Sequence, residues 1–231
     1  QKPFISYVYQ KELGREATIA TVEIQPYYPN QPFANPKDIL DKRMEIRDSG
    51  TYQLNFPSLN LSSLPDGVYC FDWNENSGQI DCEQIYSTGL VYCRSDILRV
   101  DRDTGNKQTS MYRILDMFFE VLMGARNFYS MFSYQGGLVG SLEISGVKDV
   151  EIYPISANRA LPREFIHGMK KALLPRYKWT LSMDTALLND AKSFQSFFMN
   201  QATKMEWDIG YSDANPSVIE HFLRERKWFV E

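Results

Sequence analysis

The stretch "SMYRILDMFFEVLMGARNFYSMFSYQGG", residues 110–137, decides the fold. Met111, Ile114, Leu115, Phe118, Val121, Leu122, Ala125, Phe128, Tyr129 and Phe132 recur at steps of three and four. On a helix of about 3.6 residues per turn those steps bring them to one face. Arg113, Asp116, Glu120, Arg126 and Asn127 fall mostly elsewhere. Thr109 or Ser110 can cap the first turn, so the spacing predicts a helix over 109–133, closed by Gly136 and Gly137. Burial of each large side chain stabilises by about 2 kcal/mol, so a face this wide needs a cover, and neighbouring strands supply one. The stripe is read as the structural beam of the fold rather than as a cofactor or lipid groove.

Strand signals lie on both sides of the beam. Before it, "ATIATVEIQ" (17–25) is rich in β-branched residues, and a loop with four prolines (26–36) follows. Residues 37–50 read as a short helix or as an irregular turn. "VYCFDW" (68–73), "QIDCEQIY" (79–86) and "LVYCRSDILRV" (90–100) are separated by short Gly-containing turns, the signature of an antiparallel meander. After the beam, "LVGSLEISGV" and "KDVEIYPI" (138–155) read as a hairpin-like pair. From Ser156 the character turns helical, with helices expected over 162–174, 185–205 and 217–228, the second capped by Asp184. The expected architecture is α+β: an antiparallel sheet packed on a long amphipathic helix, then a C-terminal helical group. The chain divides into a sheet domain, 1–155, and a helical subdomain, 156–231.

Bulk properties narrow the function classes. Of 231 residues, 43% are hydrophobic and 14% aromatic, enough for a sizeable core. The net charge of −4 lacks the overall basic footprint of a duplex-binding module. Cys70, Cys82 and Cys93 are odd in number and fit reduced thiols in a cytoplasmic protein, although Cys82 and Cys93 fall on neighbouring predicted strands. No apolar run approaches a membrane span, so no membrane partner is expected. The start lacks both the layout of a signal peptide and an initiator Met, which suggests a piece of a longer protein.

No HExxH, CxxC, GxSxG, Walker or dinucleotide-binding pattern occurs, and neither a metal nor a cofactor is expected. Glu164 and His167 form a single ExxH, and "DRDTGNK" (101–107) resembles the start of a calcium loop but lacks its closing Glu. Glu23, Glu45, Asp48, Asp72, Asp81, Glu83, Glu143 and Glu151 lie on or beside predicted strands. Two or three converging would suit a metal-dependent nuclease or hydrolase. Arg159, Arg163, Lys170, Lys171, Arg176 and Lys178 concentrate late, interleaved with Tyr177 and Trp179, and "RERK" (224–227) with Trp228 forms a second group. Cations beside aromatics suit single-stranded DNA or RNA, so those six residues are the candidate nucleic-acid contacts. Tyr27, Tyr28, Phe33, Trp228 and Phe229 are candidate anchors for self-association or another protein chain.

Several phrases together resemble one family. "ATVEIQPYYPNQPF" (20–33), "RMEIRDSGTYQ" (43–53), "CEQIYSTGLVYCRSDIL" (82–98), "ARNFYSMFSYQGGLVGSLEISGV" (125–147) and "KMEWDIGYSD" (204–213) are similar to segments of bacterial Schlafen AlbA-like DNA-binding proteins. The likeness lies in the region downstream of their core. It implies a cytoplasmic bacterial protein linked to nucleic acid, transcription regulation, ATP-binding regulators or defence, and it carries no catalytic residue. The function expected from these readings is a non-catalytic module of such a protein. The alternatives are the carboxylate enzyme and a protein-interaction module.

Overall fold

A computed structural model describes residues 18–28, 31–47, 55–74, 79–100, 105–153, 170–211 and 216–228. The elements run β1 (Ile19–Pro26), α1 (Pro36–Asp41), α2 (Arg43–Arg47), β2 (Ser62–Leu64), β3 (Gly67–Asn74), β4 (Gln79–Tyr86), β5 (Val91–Asp96), β6 (Arg99–Val100) and β7 (Lys107–Ser110). They continue α3 (Met111–Met131), β8 (Gly137–Ser145), β9 (Glu151–Tyr153), β10 (Lys170–Lys171), β11 (Arg176–Asp184), α4 (Thr185–Asn189), α5 (Ala191–Ile209) and α6 (Pro216–Glu225).

Seven strands form one wholly antiparallel sheet in the order β11-β8-β1-β5-β4-β3-β2. Four short strands form a second sheet, β10-β9-β7-β6, in which only β7 and β9 run parallel. Alternation drives the large sheet. Ala20, Val22 and Ile24 of β1, Leu138, Leu142 and Ile144 of β8, and Tyr177, Trp179, Leu181 and Met183 of β11 are buried on one face. Helix α3 packs across that face against β1 and β5. Ser110 caps it, its Oγ accepting from the Arg113 amide at 3.2 Å. The Tyr129 hydroxyl donates to the Gly89 carbonyl at 2.8 Å, which ties the far end of the helix to the β4–β5 turn.

The expected α+β architecture is therefore present, and its details differ in five places. The α3 helix ends at Met131, and Gly137 opens β8, because Ser133 takes positive φ and turns the chain. The α3 surface is buried on more than one side. Phe119 meets Phe194, Phe198, Phe222 and Trp228 of the C-terminal segments, so the helix is sandwiched between the sheet and a further helical layer.

β8 and β9 do not form a hairpin. Gly146 at φ +69° turns the chain out of the large sheet, and β9 joins the small one. The segment after Ser156 is not purely helical. Lys170 and Lys171 are in β10 rather than in a helix reaching 174, and β11 completes the large sheet by pairing with β8 over all nine of its residues. The helix expected over 185–205 is broken at Asp190, which caps α5 through the Ser193 amide.

Candidate functional site

The late cations sit on the rims of both sheets. β10 ends the small sheet and β11 ends the large one, so among the described residues no strand pairs with the outer edge of either. The turns that join the rims are bonded together. The Gly146 amide donates to the Pro175 carbonyl at 2.9 Å and the Asp149 amide to the Ala172 carbonyl at 3.1 Å. Lys170, Lys171, Arg176 and Lys178 are all exposed, and so is Lys148 on the facing turn. Arg159 and Arg163 lie outside the described residues.

Carboxylates temper this rim. Arg176 is ion-paired with Glu143 at 2.6 Å, Lys178 is the register partner of Glu143, and Lys171 is the register partner of Glu151. The aromatics interleaved with the cations point the other way. Tyr177 and Trp179 are 6% and 3% exposed and stack on each other at 6.0 Å. The Tyr177 hydroxyl accepts from the Leu173 amide at 3.2 Å, and the Trp179 ring N–H donates to Asp208 at 2.7 Å. These two rings are core, so they offer no stacking platform to bases. The exposed apolar groups near β11 are others: Leu173 at 81%, Leu174 at 53%, and Trp207, the neighbour of Asp208, at 63%.

At the C-terminal end of β11 lies an open cleft of about 870 Å³. Tyr27, Gly136 and Gly137 form one wall, and the run from Ser182 to Leu187 forms the other. Its shape is fixed by bonds between the walls. The hydroxyls of Tyr27 and Ser182 lie 2.7 Å apart, and Thr185 and Gly136 exchange two bonds, at 3.1 and 3.2 Å. Gly137 leaves room for Tyr27, since a Cβ there would come within 2.4 Å of the ring. Asp184 accepts from the Leu187 amide and so caps α4. The sequence reading missed this cleft, and it named Arg176, Lys178 and Asp184 without placing them on a strand, although the alternation of Tyr177, Trp179, Leu181 and Met183 carries the strand signal.

The strand carboxylates divide between the two faces. Asp72, Asp81 and Glu83 share the inner face of β3 and β4, where Asp72 pairs with Asp81 and Cys70 with Glu83. Glu23 and Glu143 lie on the other face, Glu45 is on α2, and Asp48 lies outside the described residues. Among the described residues no group of three His, Cys, Asp or Glu side chains is placed to hold a metal ion. Burial pushes Glu83 up to about 7 despite the opposing bond from the Ser58 amide, and burial with the nearby Asp116 pushes Glu120 of α3 up to about 8.

His221 lies 3.7 Å from Glu225, and His167 is outside the described residues. The three cysteines are free and buried, with Cys82 and Cys93 on opposite faces because Cys93 pairs with Glu83. Of the aromatic anchors, Tyr27 and Tyr28 are 48% and 84% exposed. Phe33 stacks on Tyr134, Trp228 is buried, and Phe229 is outside the described residues. Among the described residues no helix is long and apolar enough to cross a membrane. Compared with family models, curated proteins and solved structures, the chain matches none.

Proposed function

We propose that the chain is a non-catalytic interaction module whose working surface is the β10–β11 rim, and that its partner is an extended polypeptide segment that adds to β11. One observation carries the reading: β11 is nine residues long, alternates strictly between buried and exposed, and ends the sheet with its outer edge unpaired among the described residues. An edge of that length is a ready template for main-chain bonding to an extended segment. Arg176 at its start selects a segment with a carboxylate opposite it. By contrast β2, at the other end of the sheet, has three residues and offers little to bind.

A second reading is association with single-stranded DNA or RNA. It is favoured by Lys170, Lys171, Arg176 and Lys178 following one another along two adjoining rims, and by the likeness to Schlafen AlbA-like proteins. With Tyr177 and Trp179 in the core, such binding would rest on phosphates alone, without sequence preference. The proposed setting is the reducing interior of a bacterial cell, supported by three free buried thiols.

One anisotropy titration series tests both readings, with labelled nine-residue peptides of alternating apolar and polar residues, and with single-stranded DNA and RNA, each at low and high salt. Strand addition is expected to give peptide binding that persists in salt and weakens in Arg176→Asp. Phosphate binding through four cations is expected to fall with a log–log salt slope of about −3. If no peptide binds at any salt, the strand reading fails, and if no nucleic acid binds even at low salt, the second reading fails.

A further inference from the structure

From the symmetry of β11 we infer that the segment it accepts is β11 of a second copy of this chain, joined antiparallel across a two-fold axis at Thr180. The inference deepens the strand-addition reading and rests on it. The strand reads "RYKWTLSMD" from 176 to 184, with Thr180 at its centre. Antiparallel pairing about that centre sets residue n opposite residue 360 − n. Arg176, which also pairs with Glu143 of its own copy, then faces Asp184 of the other copy, which also caps its own α4, and this happens twice. Lys178 faces Ser182, and Thr180 faces itself, all on the exposed face. On the buried face Trp179 meets Leu181 and Tyr177 meets Met183, so apolar meets apolar. Directly opposed residues are the closest side-chain pairs in a sheet, so the opposite charges of Arg176 and Asp184 favour this pairing, whereas a register centred on Leu181 sets Lys178 against Asp184 and leaves Arg176 with no facing residue in the strand.

The ends of the strand are complementary too. Residues just before Arg176 in one copy lie beside the segment just after Asp184 in the other. The first are Leu173 and Leu174, the most exposed leucines flanking β11. The second is α4, whose first residues line the 870 Å³ cleft. Beyond Asp184 the strand register gives way to helix α4, so Leu173 and Leu174 of each copy come near the cleft end of the other, whose lining includes Ala186 and Leu187. The result is one sheet running through both copies, closed by two-fold symmetry.

Light scattering across a concentration series, with cysteine cross-linking, tests the pairing. Cys70, Cys82 and Cys93 are buried, so an introduced thiol reports on its own position. A two-chain mass that dissociates on dilution is expected. Thr180→Cys is expected to give a disulfide-linked dimer on mild oxidation, and Ser63→Cys, on the opposite edge of the sheet, is expected not to. Arg176→Asp is expected to weaken the dimer about tenfold or more, and Asp184→Arg placed with it to recover most of the loss. A single-chain mass at the highest concentration overturns the inference. So does a dimer that Ser63→Cys locks and Thr180→Cys does not. If the chain is monomeric yet binds strand peptides, self-pairing alone falls, and if it is monomeric and binds none, strand addition falls with it.

Discussion

Glu83 and Glu120 are carboxylates held against a core by the segment that crosses above them. Glu83 accepts the Ser58 amide at 2.5 Å, and Glu120 accepts the Asn55 side-chain amide at 3.3 Å. Arg47 braces the same segment through Asn55 at 3.1 Å. Burial outweighs these bonds, so both acids are raised from 4.5, to about 7 and about 8. An acid raised on folding holds its proton more tightly in the folded chain. Between 4.5 and about 8 the folded chain therefore keeps protons that the unfolded chain has released. Stability is greatest below that window and falls as pH rises through it. Glu206, raised by burial to about 7, acts in the same direction. Asp190 and Asp208 are lowered by hydrogen bonds, so what they contribute is lost as pH falls toward strong acid. Urea unfolding at roughly pH 5.5 and pH 8.5 reads the difference. The wild-type chain is expected to lose stability between the two, and Glu83→Gln with Glu120→Gln to lose less. Equal losses would reject the assignment of the slope to these acids.

At the scale of elements, α3 carries a glycine in its interior at Gly124. By propensity alone Gly124→Ala should stabilise a helix by about 1 kcal/mol. The packing points the other way. A Cβ at 124 would lie 2.5 Å from the ring of Phe56 and 3.2 Å from the Phe56 carbonyl, and Phe56 is itself only 2% exposed. Neither a buried ring nor a backbone oxygen yields easily, and overpacking of this kind costs about 1–3 kcal/mol. Gly124→Ala is thus expected to lower the urea midpoint, and a raised midpoint would show that the 55–58 segment moves aside freely. The same helix shows why some elements were legible and others were not. Its apolar period runs through six turns, long enough to dominate any local ambiguity. That period could not reveal that Phe119 and Met123 are buried too, since the rings that cover Phe119, on α5 and α6, are distant in sequence. β11 was missed for a different reason. Its alternation follows Pro175 and a run of cations, and lysines before a proline resemble a helix end as readily as a turn into a strand. The hairpin expected for β8 and β9 failed at one residue, Gly146, whose positive φ redirects the chain.

At the scale of the whole molecule, the chain is assembled as sheet, α3, then the C-terminal helices, and Arg226 fastens the last layer. Its side chain is 2% exposed, lies 3.6 Å above the ring of Phe222, and bonds both Asp116 and, at 3.1 Å, the Tyr112 hydroxyl of α3. The sequence placed Arg226 in a basic run, "RERK", beside Trp228, a group of the kind that suits an exposed nucleic-acid contact. A charge run reads as surface unless its partner is known, and the partner here is more than a hundred residues away on a helix that looked complete. The rim cations were legible as residues but not as a place. Their common edge depends on β10 and β11 ending two different sheets. Removing Arg226 tests whether the layers fold as one unit. Arg226→Ala leaves Asp116 without its partner and strips a packed plane from Phe222, and a broken buried pair costs about 3 kcal/mol or more. Arg226→Met with Asp116→Asn removes both charges and keeps the volume, so it is expected to recover much of that loss. Hydrogen exchange then separates two outcomes. If α6 is fastened mainly by this pair, amides of Val218–Leu223 in Arg226→Ala exchange fast while those of Phe118–Leu122 stay protected. If both sets speed up together, the aromatic contacts of Phe119 with Phe222 and Trp228 already make the layers one cooperative body, and Arg226 adds to its stability rather than holding a separable part.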